Sequence, residues 1–157
     1  MARLVDATGF ERARARAVGA ARDRAQRAFL AALRGRDDRG MDRIVGRPAV
    51  LRAVFRGMAA SFRPDRAQGF SGIIRYELTG RRTHRWTVLV TGSHATASPG
   101  GAGDPAVTVR MSVPDFARIV TGELQPAVAF MQGKIQVEGD LAVAARLSEM
   151  FGREQLT

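Results

Sequence analysis

His84 and His94 are the only two histidines in the 157-residue chain, and there is no cysteine. A thiol nucleophile, a thiolate zinc site, an iron–sulfur cluster and a His-rich metal site are therefore excluded. Ser93 beside His94 has the residue types of a nucleophile and its base. Neighbours on a strand point to opposite faces, and no Gly-x-Ser-x-Gly frames the serine, so the two cannot share a proton. His84 falls in a hairpin loop, where water is its expected partner. Glu138 and Asp140 could pair as carboxylates, but Asp140 is already accounted for as a helix cap. Gly133-Lys134 has the ending of a phosphate-binding loop. Val128 stands where that loop needs its first glycine, however, and Ile135 where Ser or Thr would hold magnesium. Gly100, Gly101 and Gly103 have the wrong spacing for a dinucleotide fingerprint. No constellation for enzymatic chemistry survives, so the expectation is a non-enzyme with neither metal nor cofactor.

Charge supplies the next candidate. The formal net charge is +10, and 24 of the 25 basic residues are arginine. Residues 1–60 hold fourteen arginines against six acids, whereas residues 61–157 hold eleven basic residues against nine acids. An anionic partner would therefore meet the N-terminal part. Specific nucleic-acid binding is not expected: aromatics are 6% with one Trp and one Tyr, which supplies a stacking platform poorly. No helix-turn-helix or zinc-finger pattern is visible. Apolar content of 45% is that of a folded protein. The longest apolar run, residues 28–33, is too short to span a bilayer or form a signal-peptide core. A cytoplasmic globular protein is expected.

The elements that would position these residues read as follows. Residues 10–34 are rich in helix formers, but their arginines fall almost all round the wheel, predicting a solvated helix. Residues 35–48, with Gly, Asp and Pro, read as a linker. Two regions result: a helical extension and linker over 1–47, and a folded domain over 48–157. Pro48 opens an amphipathic helix on which Val50, Val54, Met58 and Phe62 recur every four residues, with Leu51 and Phe55 beside them. Arg52, Arg56 and Arg63 lie on its back, and Pro64 ends it. From Phe70 the period changes to two. Gly72, Ile74, Tyr76 and Leu78 share one strand face, and Trp86, Val88 and Val90 begin a second strand. A short strand over 93–98, a loop over 99–105 and a strand at Val107, Val109 and Met111 follow. Ser112 and Asp115 form a capping box for a helix bearing Phe116, Ile119 and Val120, closed by Gly122. A short helical segment runs from Pro126 to Met131. Residues 134–138 form a last strand, with Ile135 and Val137 on one side. Asp140 caps a final helix whose Val143, Leu147, Met150 and Phe151 face the core. The class is α+β: a mostly antiparallel sheet covered by helices on one side.

Residues 48–152 resemble the sterol-carrier-protein type-two (SCP-2-like) lipid-binding domain family. The resemblance is carried by FSGIIRYELTG (70–80), RWTVLVTG (85–92), VTVRMSVPDFARIVTGELQP (107–126) and, above all, AFMQGKIQVEGDLAVAARL (129–147). It implies five strands, several helices and an apolar tunnel between sheet and helices for fatty acids, fatty acyl-CoAs, sterols or other lipids. It also implies no catalysis by the domain itself, although the domain is found fused to enzymes. The residues facing such a tunnel would be Met58, Phe62, Trp86, Val88, Met111, Phe116, Ile119, Val120, Phe130, Met131, Ile135, Leu147, Met150 and Phe151. Flexible thioethers and rings suit a cavity that accepts unlike hydrocarbons, though the same residues can be filled core. Gln132 has two readings, a buried amide bonding the ligand's polar head or a cap on the turn at Gly133. Lys134 points away from Ile135, towards the surface.

Two functions are expected to compete. In one, the protein carries lipid, and its arginine-rich extension with Arg52 and Arg56 rests on an anionic membrane surface while lipid exchanges. In the other, it presents a lipid-like intermediate, such as an isoprenoid, to a partner enzyme docked by the N-terminal helix.

Overall fold

A computed structural model describes residues 3–151. The chain divides into two compact units, Met1–Gly35 and Arg36–Thr157. The first is the helix α1 (Arg3–Leu33). Its arginines fall on every side and Val18 in its middle is 49% exposed, whereas Leu33 at its end is buried.

The second unit begins earlier than residue 48, and the linker expected over 35–48 is largely a helix, α2 (Asp38–Val45). Asp37 caps it by accepting the Gly40 N–H at 2.9 Å. Met41 and Val45, four residues apart, are buried. The Gly and Asp content that suggests a linker sits on the cap and the exposed side. Arg118, from a later helix, pairs with Asp38 and with Asp115, the latter at 3.3 Å. The Asp38 hydrogen bond leads in raising the Arg118 pKa further above its ordinary range.

Helix α3 (Pro48–Ala60) starts at Pro48 as expected but stops before Phe62. Its buried stripe is Leu51, Phe55 and Ala59, with Val50, Val54 and Met58 half-buried at its margin. The inward face is thus rotated by one residue from the expected one. The reason lies in its neighbours: Phe55 meets Tyr76 and Trp86 of the sheet and Phe116 of a later helix, contacts that a valine at position 54 could not make. A 3₁₀ turn at Pro64–Arg66 follows.

Five strands form one sheet in the order β3-β2-β1-β4-β5. They are β1 (Gly72–Thr79), β2 (His84–Thr91), β3 (His94–Pro99), β4 (Val107–Ser112) and β5 (Gln136–Gly139). β1 and β4 pair in parallel, and every other pair is antiparallel. The sheet is therefore mixed and mostly antiparallel. Register brings Ile74 level with Val88 and Val107, and Tyr76 level with Trp86 and Val109, so alternation gives one continuous apolar face. β5 begins two residues later than expected, leaving buried Ile135 just ahead of it.

The opposite face is polar. Glu77 on β1 receives Arg110 Nε at 2.7 Å and faces Arg85 Nε at 3.6 Å, while Arg110 Nη1 reaches Glu138 at 2.8 Å. These carboxylates, Glu77 first, raise the Arg110 pKa beyond its ordinary range. Loop 100–105 is held over this face by Arg75, whose Nη2 donates to Ala102 O at 2.6 Å and Gly103 O at 3.0 Å. Thr87 Oγ1 adds a bond to Gly100 O at 2.7 Å.

Helices α4 (Val113–Thr121), α5 (Pro126–Met131) and α6 (Leu141–Met150) complete the unit. Ser112 Oγ accepts the Asp115 N–H, and Gly122 ends α4 with φ +81°, as their spacing predicts. Asp140 accepts the N–H groups of Ala142 and Val143 at the start of α6. The end of α6 is tied to the end of α3. Arg63 N donates to Met150 O at 2.8 Å, Ser61 Oγ lies 3.1 Å from Phe151 O, and the Phe62 and Phe151 rings are 5.5 Å apart.

Candidate functional site

The apolar face of the sheet meets α3 and α4 at an aromatic cluster centred on Phe55. Its ring stacks on Trp86 with centroids 4.7 Å apart, stacks on Phe116 at 5.2 Å and meets Tyr76 edge-on at 5.4 Å. Each such pair adds about 0.5–1.5 kcal/mol beyond the area it buries. The residue pattern marks Trp86 and Phe116 as inward-facing but sets Phe55 only beside the stripe of α3. The signal available was the alternation on β1 and β2, which already offered Tyr76 and Trp86 as a wall for a large ring.

Burial pushes the Tyr76 phenol pKa up from its ordinary value. An unfolded tyrosine ionises near pH 10, whereas the folded one stays protonated. Tyr76 thus contributes its full stability below about pH 10 and loses it as pH rises above that value. Tyr76→Phe is expected to move the alkaline unfolding midpoint, followed by circular dichroism, to higher pH.

Beside this cluster lies a cavity of about 510 Å³, lined by Pro48, Leu51, Arg52, Thr83, His84, Arg85, Trp86, Pro99 and Gly100. Small-ligand sites fall in the range of about 300–1,000 Å³. Its apolar wall is Leu51, Trp86 and Pro99, and the Trp86 ring continues directly into the Phe55 stack. His84, expected in a solvated loop, is instead the first residue of β2 and half-buried. It pairs with Leu78 and, by the two-residue period, shares the helix-covered face with Trp86. The His84-Trp86-Val88-Val90 alternation was the signal that could have placed it.

The other expected site residues divide into three groups. Val88, Met111, Phe116, Ile135 and Met150 are buried with Trp86. Met58, Phe62, Ile119, Val120, Leu147 and Phe151 are half-buried. Phe130, Met131 and Gln132 are exposed, Met131 by 86%, so their expected inward orientation is corrected. The six-residue α5 turns Ala129 inward instead, and Lys134 N closes the turn onto Ala129 O at 2.9 Å. Gln132 is therefore no buried amide. Arg52 and Arg56 are exposed on α3, but only Arg52 borders the cavity.

A mixed five-stranded sheet with one apolar face, covered by helices that enclose aromatic rings against it, defines an α+β domain of the helix-covered-sheet class. The chain belongs to the SCP-2 sterol transfer family, whose sequence profile matches residues 54–152. It is 27% identical over 108 residues to hydroxysteroid dehydrogenase-like protein 2 of Bos taurus, covering 68% of this chain and 26% of that protein. The chain thus spans about a quarter of the length of the curated relatives it matches. Palmitated SCP2L2 from Aedes aegypti has the same fold, with a TM-score of 0.53 and 24% identity over 63% of this chain and 88% of that one. So does part of the sec-alkyl sulfatase PisA1, with a TM-score of 0.56 and 17% identity over 68% of this chain and 16% of that one. Among the described residues, no helix is long and apolar enough to cross a membrane.

Proposed function

We propose that the Arg36–Thr157 unit is a non-catalytic carrier of hydrophobic lipids. Fatty acids, fatty acyl-CoAs, sterols and isoprenoid-like molecules are its candidate cargo. The observation that carries this reading is the cavity lined by Trp86, whose ring stacks on Phe55 at the sheet–helix interface, in a chain of a sterol-transfer family. Each CH₂ taken from water contributes about 0.8 kcal/mol, so a long chain needs few polar contacts. The palmitated mosquito relative supports a single acyl chain as one cargo. The exposed arginines of α1, with Arg52 and Arg56, would hold the protein at an anionic membrane during exchange.

The reading is tested by native mass spectrometry of the full-length protein, before and after incubation with palmitate, palmitoyl-CoA, cholesterol and a short-chain quinone. A stoichiometric adduct with at least one of them is expected. Failure to take up any of the four would sink the carrier reading.

A second reading is favoured by the alkyl sulfatase, in which this fold makes up a minor part of an enzyme chain. The domain would then present a lipid-like intermediate to a separate enzyme docked through α1. Capture of a specific enzyme by a protein with no affinity for vesicles would favour it.

A further inference from the structure

The cavity's polar groups distinguish it from a plain apolar slot. Arg52 projects from the first turns of α3, and among the described residues it makes no ion pair. His84 sits on the same face as Trp86, is half-buried and lines the cavity with it. Glu77 is held on the opposite face by Arg85 and Arg110, and Asp42 accepts the Arg81 N–H at 3.1 Å. The lining thus sets the cations Arg52 and Arg85 beside the apolar surface of Trp86 and Pro99.

Resting on the carrier reading, we propose that this cavity is a head-group site. Arg52 and His84 receive the anionic head, a carboxylate or phosphate, of a single-chain amphiphile whose hydrocarbon starts against Trp86 and Pro99. The guanidinium supplies a forked, permanently charged donor set, and the imidazole adds one further N–H. The same anionic chemistry is found on a membrane surface and in free phosphate, so the test separates these sources from a monomeric amphiphile.

Trp86 is the chain's single tryptophan, so its emission reports directly on the cavity. Titrations of the full-length protein would use sub-micellar palmitate, hexadecyl phosphate and hexadecanol, inorganic phosphate alone, and mixed phosphatidylcholine–phosphatidylserine vesicles. Both anionic amphiphiles are expected to shift Trp86 emission and to bind more tightly than hexadecanol. Arg52→Gln and His84→Gln are each expected to weaken them roughly fivefold to tenfold, the range for a partly exposed charged contact, with hexadecanol unchanged. Arg52→Lys is expected to keep most of the preference. Because Arg52 is exposed, its variants should fold, which far-ultraviolet circular dichroism checks.

A head-group preference that is missing in the wild type, or that survives in both glutamine variants, overturns the proposal. So does an Arg52→Gln protein that loses vesicle binding but keeps its preference for palmitate, since Arg52 would then be a membrane contact. Competition by inorganic phosphate as strong as that by hexadecyl phosphate would make the ligand a free anion, again overturning it. Binding of hexadecanol without discrimination defeats the head-group site alone. Binding of nothing defeats the carrier reading as well.

Discussion

Replacing Phe55 by alanine is expected to cost the Arg36–Thr157 unit about 3–5 kcal/mol, the range for emptying a fully buried aromatic site. Phe55 is completely enclosed and is the common member of the three closest ring contacts in the cluster. Its removal forfeits the transfer energy of the ring, three aromatic pairings and the packing of Trp86 and Phe116 across the void. Chemical denaturation followed by Trp86 emission measures the loss directly, and the melting temperature should fall by roughly 10 °C or more. Met131→Ala is the matching contrast, because a side chain 86% exposed has little to lose. Near-equal effects at the two positions would mean that the cluster is not the centre of the core.

Most of the architecture was legible because it rests on local chemistry. The Ser112–Asp115 box, the Asp140 cap and the Gly122 terminus each form bonds within a few residues, so sequence spacing suffices to find them. The strands were legible from alternation, since their burial follows from having one covered face. What sequence reasoning missed depends on distant partners. Helix α2 owes its place to Met41 and Val45 in the core and to Asp38 with Arg118, and composition alone makes this stretch look like a loop. The phase of α3 is set by the rings opposite it. Phe130 and Met131 were expected inward because apolar residues usually are. On the six-residue α5, however, a single small residue, Ala129, fills the inward position. Of the cavity's lining, the residue pattern marks Trp86 as an inward-facing side chain and Arg52 only as a surface cation on the back of α3. The position of His84 on β2 is not legible, because a loop over that residue ends the alternation one residue pair too soon.

Gly139→Ala is expected to be the most damaging change at a position with no side chain. The backbone there has φ +102°, and a Cβ would come within 2.4 Å of Ala106 O, a main-chain atom with no freedom to swing aside. That oxygen already accepts the Asp140 N–H at 2.8 Å, just where β5 hands over to α6. The chain must therefore shift, pulling Gly139 from Val107 and disturbing the cap that starts α6. Backbone strain of about 1–2 kcal/mol adds to about 1–3 kcal/mol of overpacking. A loss of about 2–5 kcal/mol is the expected result of equilibrium urea unfolding, with early hydrogen exchange at the amides of β5 and the first turn of α6. Gly57→Ala makes the control, since nothing lies within 4 Å of the added atom and alanine favours the helix. If Gly139→Ala were as stable as the wild type, β5 and α6 would not be coupled through this contact.

The parallel pairing of β1 with β4 also bears on how the protein is made. β1, β2 and β3 follow one another directly in the chain and pair as neighbours, so translation can deliver them as a meander. The other edge of β1 has no partner until β4 leaves the ribosome, and at about 5–20 residues per second that delay is on the order of seconds. During it the nascent chain displays the open backbone edge of a strand whose Ile74, Tyr76 and Leu78 are destined for the core, a template for pairing with any other extended chain. A transcript that stops between β3 and β4 would make that exposure permanent, and its product is expected to aggregate or be held by chaperones rather than survive as a smaller carrier.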